Sequence, residues 1–173
     1  MTWTIDKTHS DVGFAVRHMM ISNVRGKFER FDADVTLDPQ NLAAAKVTAR
    51  IETASVNTGV EQRDAHLRSA DFFDSEKHPV MEFTSTSVKQ SGSSVEVTGN
   101  LKIRDAVHEI TLKGELEGPG KDPWGSTRVG FSLSGEIERE KWGLNWNQAL
   151  ETGGVLVAKK VKITIEAQLV QQA

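Results

Sequence analysis

The segment Thr53–Phe83, TASVNTGVEQRDAHLRSADFFDSEKHPVMEF, is the one long stretch of this chain that does not read as a β-strand. Thr58 and Glu61 have the spacing of a capping box, in which a hydroxyl covers the amide three residues on and the carboxylate reaches back. Val60, Asp64, Leu67 and Asp71 then recur at helical spacing, with Val60 and Leu67 on one face. Asp64 and Arg68 stand four apart, the separation of a surface ion pair of modest worth. Phe72 and Phe73 follow together, and Pro79 ends any helix before it by pushing its predecessor to extended angles. The spacing predicts one crossover helix near residues 59–71. Two roles fit it: a lid anchored by two aromatics, or a structural helix closing one end of a β-fold.

Outside that segment, alternation with period two prevails. Val12, Phe14 and Val16 share a face with His18 beyond them. Met19-Met20-Ile21 breaks the alternation and is expected to form one helical turn. In the second strand Ala33, Val35 and Leu37 face inward; Phe28 and Phe31 are out of phase, which predicts a bend or bulge between them. Val47, Ala49 and Ile51 make the third strand, and Met81 and Phe83 begin the fourth. Ser91–Ser94 is a hairpin turn leading to Val95, Val97, Gly99, Leu101 and Ile103. After a turn at Arg104–Val107 come Ile110, Leu112, Gly114 and Leu116. The run GPGKDPWG (Gly118–Gly125) is expected to be a loop throughout, because its glycines and prolines exclude a strand interior. Val129, Phe131, Leu133, Gly135 and Ile137 form the seventh strand. The eighth runs over Val155–Leu169 with its apolar residues on odd positions, broken only at Lys159.

Eight such strands in an open antiparallel sheet would expose two edges, and closure removes both. The reading is therefore an all-β, eight-stranded, antiparallel up-and-down β-barrel with one crossover helix, spanning residues 1–173 as a single domain. A barrel of this size has an interior filled by side chains or by one slender ligand. Small inward residues (Ala33, Ala49, Gly99, Gly114, Gly135, Ala167) argue for room inside, although glycines also relieve barrel bends. From the residues alone, a filled core and a cavity stand level. The long interruptions at 54–79 and 140–154 are the candidates for a mouth.

The 21 basic and 24 acidic residues give a net charge of −3, which leaves no basic excess to hold a nucleic acid. The absence of cysteine removes disulfides, thiolate metal sites and a cysteine nucleophile. His9, His18, His66, His78 and His108 show neither HxH nor HExxH spacing, so no metal or cofactor site is expected. No GxSxG occurs, and Asp64 and His66, two apart on a helix, point away from each other. Asp11, Asp64, Asp71 and Glu151 are acids that spacing does not select, and no catalytic residue is assigned. The opening MTWTIDKTHS does not read as a signal peptide and no apolar run reaches a membrane span, so the expected location is cytoplasmic. Arg63 and His66 would either pin the helix to the barrel rim or meet a phosphate or other polar head group. Trp142, Leu144 and Trp146, spaced by two, would grip a ligand at the entrance or pack a dimer contact.

The run Thr58-Gly59, Arg63-Asp64, His66-Leu67, Asp71-Phe72-Phe73, Pro79 and Phe83 resembles the YceI-like family of polyisoprenoid-binding proteins. The resemblance extends over Trp3, Ile5-Asp6, His9-Ser10, Phe14, Val16, His18, Gly26, Phe28 and Phe31, and over Thr98-Gly99, Leu101, Ile103, Thr111-Leu112, Arg139 and Gly143-Leu144. It departs at Asp105, where a glycine is usual, at Ala106-Val107-His108, and at Trp142, where relatives carry phenylalanine or tyrosine. The resemblance implies a lipocalin-like barrel that holds a long lipid chain (a polyisoprenoid, its phosphate, a quinone or a fatty-acid derivative) and tips the interior toward a cavity. It implies a wall of Phe14, Val16, Phe31, Val35, Met81, Phe83, Leu101, Leu112, Phe131, Leu133, Ile163 and Ile165. The entrance would be set by His18, Arg63, His66 and Trp142. Carriage, storage or sensing of that lipid would be the function, with a homodimer as in many relatives. Because many relatives are exported, a trimmed periplasmic protein is the alternative location. The other readings are a hydrolase or isomerase of a lipid-like substrate using Asp64, His66 or His18, and a filled structural or partner-binding barrel.

Overall fold

The computed structural model describes residues 2–19, 21–148 and 156–172. Its eight strands are β1 (Thr2–Ile5 and Asp11–His18), β2 (Ser22–Phe28 and Phe31–Thr36), β3 (Lys46–Glu52 and Val56–Asn57), β4 (Val80–Ser91), β5 (Ser94–Ile103), β6 (Ala106–Lys121), β7 (Thr127–Glu138) and β8 (Val157–Gln171). Each pairs antiparallel with its successor, and β8 returns to pair with β1, so the sheet closes on itself. Closure leaves no ladder open, which is what a sheet of alternating strands needs in water.

The first three strands each bend once, and the bends lie side by side. In β1 a 3-10 turn at Lys7–His9 separates the half paired with Ile163 and Ile165 from the half paired with Leu169. The buried Ser10 hydroxyl accepts the Gln168 amide across this break at 3.0 Å. The bend expected between Phe28 and Phe31 is present at Glu29–Arg30, and β3 breaks at Thr53–Ser55.

Several local expectations need correction. Met19 and Ile21 are in a tight hairpin turn rather than a helical one, with the Ile21 amide donating to His18 O at 3.3 Å; Met20 lies outside the described residues, as do Glu151 and Val155. The strand β6 runs through Gly118-Pro119-Gly120 as far as Lys121. A bulge makes this feasible: Arg128 faces Gly120 and Gly130 faces Glu117, so Val129 alone opposes two residues and the proline owes no amide to the ladder. A second bulge between Val157 and Val161 turns Lys159 out to solvent, which explains the one charge on the inward row of β8. The helix α1 spans Glu61–Arg68, and no capping box forms. Its N-cap residue, Val60, is exposed, and the Thr58 hydroxyl donates to Asp64 Oδ1 at 2.6 Å instead. Asp64 is thereby drawn inward, and Arg68 pairs with Glu61.

One end of the barrel is sealed. Trp3, Leu42 and Val129 are almost fully buried there, and the Trp3 indole donates to Leu37 O at 3.0 Å. Just outside this floor Arg128 joins Asp6 (2.8 Å) and Asp122 (2.7 Å), tying the first strand to the seventh. Hydrogen bonds from Thr8, His9 and Arg128 hold the Asp6 carboxyl far below the usual carboxylate range. A depressed folded-state pKa contributes stability that is present above the unfolded value of about 4 and is lost as pH falls below it. Asp6→Asn should therefore lower the thermal midpoint at pH 7 by about 4–8 °C, taking about 2 kcal/mol for a charged hydrogen-bond network. The gap to the wild type should narrow steadily in melts taken from about pH 5 down to about pH 2.

Candidate functional site

The barrel encloses a cavity of about 400 Å³ whose walls are almost wholly apolar. That volume falls within the range of small-molecule sites. Its position can be read from the inward side chains. Met81, Phe83, Leu101 and Leu112 on β4–β6 are buried against their neighbours. Phe14 and Val16 on β1, Phe131 and Leu133 on β7, and Ile163 and Ile165 on β8 also point inward yet remain partly accessible. Phe31 and Ala33 on β2 and Val47 and Ala49 on β3 are likewise partly accessible, so the free space lies against β7, β8 and β1–β3. The glycines do not create it. A Cβ on Gly99 would meet the Phe83 ring at 2.5 Å, and one on Gly114 would meet Ser132 O at 1.6 Å. These two serve close packing of the wall, whereas Ala33, Ala49 and Ala167 do line the cavity.

The other end of the cavity is covered by α1 with the residues after it, and by residues 139–148 after β7. Leu67 and Phe73 of the first segment pack on the core, with Phe73 edge-on to Phe28 at 5.6 Å. Asp64, only 4% exposed, accepts both the amide and the hydroxyl of Thr58. Arg63 donates from Nε to Thr58 Oγ1 at 2.8 Å and from a terminal nitrogen to Thr58 O at 2.9 Å. His66 Nε2 lies 3.0 Å from Asp71 Oδ2, so it is paired with that acid and not with Asp64. Its ring meets Trp146 at 4.5 Å and Phe72 at 5.1 Å, joining the two segments of the lid.

Arg139 anchors the second segment. It is 3% exposed, and its guanidinium donates to the carbonyls of Leu144, Trp146, Val157 and Ala158. Among the described residues no carboxylate pairs with it, and burial pulls its pKa below the ordinary arginine value, opposed by the charge of Glu140. Among the described residues the cation thus sits in an apolar wall with its hydrogen bonds going to carbonyl dipoles, and with Phe72 beneath it at 5.9 Å.

Of the residues assigned to the site from sequence, Phe14, Val16, His18, Phe31, Val35, Arg63, His66, Met81, Phe83, Leu101, Leu112, Phe131, Leu133, Ile163 and Ile165 line the cavity. Trp142 does not. It is 3% exposed, its indole donates to Leu101 O at 2.8 Å, and its ring packs on His108, so it joins the core beside the cavity at the end of β5 and β6 rather than lining it. Leu144 and Trp146, which share its spacing and the expectation of an entrance role, do line the cavity, and so do Arg139 and Leu156, which the sequence reading leaves out. For Arg139 the signal was its odd position, which continues the inward row of Val129–Ile137 with a charge.

The geometry defines a closed antiparallel β-barrel with an apolar interior and a two-part lid at one end. Residues 3–169 match the YceI-like domain, and the chain belongs to that family. A UPF0312 protein of Staphylococcus epidermidis is 41% identical over 167 residues, 96% of this chain and 95% of the relative. Among solved structures, a YceI protein of Campylobacter jejuni is 33% identical with a TM-score of 0.78, covering 98% of both chains. BcnA of Burkholderia cenocepacia shares the fold at 23% identity and a TM-score of 0.82, covering 95% of this chain and 98% of its own. A polyisoprenoid binding domain from Saccharophagus degradans shares it at 14% identity and a TM-score of 0.75, covering 98% of both.

Two substitutions test these structural roles, at Trp142 and at Arg139. Trp142→Phe should cost about 1–2 kcal/mol of unfolding free energy in denaturant melts by orphaning Leu101 O, and leave the cavity unchanged. Arg139→Lys should cost about 2–4 kcal/mol, because one ammonium cannot replace a fork that serves four carbonyls.

Proposed function

We propose that this protein binds a long apolar chain inside the barrel, with its polar end under the lid. The observation that carries the reading is the cavity, which runs from Leu37 and Leu42 at the floor to His66, Trp146 and Leu156 at the lid with almost no polar surface between. Each buried methylene gains about 0.8 kcal/mol on leaving water, and ordering the chain returns a share of that. The inward polar side chains, His18, Arg63, His66 and Arg139, belong to the lid end. An amphiphile lying tail-down would place its head beside two guanidinium groups, which suit a phosphate or carboxylate. The polyisoprenoid binding of the Saccharophagus relative supports a prenyl chain as the tail. Binding is favoured over turnover by the local bonding: Asp64 is committed to Thr58, and His66 to Asp71.

Native mass spectrometry and solvent extraction of purified protein test this. A bound prenyl or acyl lipid, or uptake of polyprenyl phosphate by stripped protein, is expected; protein that ignores polyprenyl and fatty-acyl probes alike would overturn it. Leu133→Trp, directed into the free space, should reduce uptake at least about tenfold while unfolding stays within about 1 kcal/mol of the wild type. Phe83→Trp is the poorer probe, since the Phe83 ring already lies on Gly99. Arg63→Ala should weaken polyprenyl phosphate by about tenfold and leave the matching alcohol nearly unchanged.

A further inference from the structure

We propose that the lipid enters through the side of the barrel, at a gap in the wall between Ser22–Gly26 of β2 and α1, with Thr58 and Phe73 as its door. The route rests on the reading that the cavity holds a lipid tail. Closure gives every strand two neighbours, but the ladder between β2 and β3 stops short of the lid end. It ends with Lys27 opposite Asn57, where β3 leaves the wall for Thr58, Gly59 and α1. Among the described residues, Ser22–Gly26 pairs with β1 alone. The Glu29 amide donates to Ser55 O at 3.1 Å. Alternation turns the amides of Arg25 and Asn23 toward that same side, where β3 no longer runs. Both banks of the gap face the interior: Val24 and Phe28 line the cavity on one, and Arg63, His66 and Leu67 on the other.

The other borders of the lid end are tied by hydrogen bonds. Between β3 and the start of β4, the Thr53 amide donates to Pro79 O at 2.9 Å and its hydroxyl to His78 O at 2.9 Å. Between β1 and β8, the Met19 amide donates to Leu156 O at 2.7 Å. Between the two lid segments, His66, Phe72 and Trp146 meet ring to ring. Arg104 spans that seam as well, donating to the carbonyls of Phe72 and Gly143. Among the described residues, the gap beside α1 is closed by side chains alone. The Thr58 methyl lies over Gly26, 2.9 Å from where a Cβ would stand, and Phe73 rests edge-on against Phe28 at 5.6 Å. Parting these contacts leaves no hydrogen-bonding group unpaired, whereas each tie at the other borders would have to break. The entering tail itself covers the apolar surface that parts. Arg63 stands on the α1 bank, so a head group that follows its tail inward arrives beside that guanidinium.

The chain has no cysteine, so an engineered disulfide can lock the door without competing thiols. In Gly26→Cys combined with Thr58→Cys the two Cβ atoms would stand at most about 4.4 Å apart, within disulfide reach. The Cβ at 26 also turns aside the Phe14 ring, so the oxidised form is compared with the same variant under reductant. Uptake and release of cis-parinaric acid, a fluorescent fatty acid, are followed by stopped flow. Oxidation should slow both at least about tenfold and leave Kd within about twofold, as a blocked route to an intact cavity requires. Wild-type rates should not respond to reductant. An oxidised variant that loads as fast as the reduced one, or that loses affinity with release unslowed, would overturn the route. Should the double variant fail to fold or to cross-link, residue-resolved hydrogen exchange of the wild type decides. The Asn23 and Arg25 amides should exchange at least about a hundredfold faster than that of Val24, which faces Val16 of β1. Equal protection of all three would overturn the gap. Wild-type protein that takes up neither parinaric acid nor polyprenyl phosphate removes the cavity reading and the route together, whereas uptake indifferent to the disulfide removes the route alone.

Discussion

The pairing of β8 with β1 is the interaction on which the architecture rests. Without it the molecule would be an open sheet with two exposed ladders and an apolar face with nothing to cover it. With it the same face becomes an interior. The seam is also the most elaborated part of the wall. The two halves of β1 meet β8 in different registers, Ser10 bridges the break, and Arg128 ties Asp6 to β7 just beyond it. Strand ends far apart in sequence close the ring at an entropic cost that these bonds help to offset.

Closure sets the size of the interior, and the distribution of side chains sets where the space lies. The large residues of β4–β6 fill their side, while β7, β8 and β1–β3 leave a channel. Sealing one end with Trp3 and Leu42 and the other with a helical crossover requires different materials. The floor is hydrophobic throughout, whereas the lid relies on polar anchors, Asp64 to Thr58 and Arg139 to four carbonyls. Polar anchors can be satisfied by water when they part, so the lid end is the side on which opening costs less.

The alternation made the strands, their order and the inward row legible, because period two is a direct imprint of the pleat. Trp142 shows where that legibility stopped. Alternation places a residue in a row but does not say whether a ring following the seventh strand enters the cavity or packs beside it, and that depends on an indole bond to Leu101, which is 41 positions away. The helix misled in a similar way. Thr58 and Glu61 fit a capping box by spacing, yet a buried aspartate at 64 offered Thr58 two bonds and won. The proline at 119 misled because a bulge, invisible in one strand's sequence, depends on what its partner does at Val129. Glycine was ambiguous for a related reason: the space above Gly99 belongs to Phe83 of the neighbouring strand.

The tryptophan-backed floor has a consequence for selectivity. If the barrel holds a lipid as proposed, a vessel sealed at the floor would admit a flexible tail only by its tip, and the distance from Leu42 to the lid would work as a ruler. Molecules that reached the bottom before the head group arrived under Arg63 would leave that head group standing in solvent; shorter ones would draw it in and leave a void below. The depth of the barrel, rather than any recognition of individual carbons, would then decide which chain length is held best.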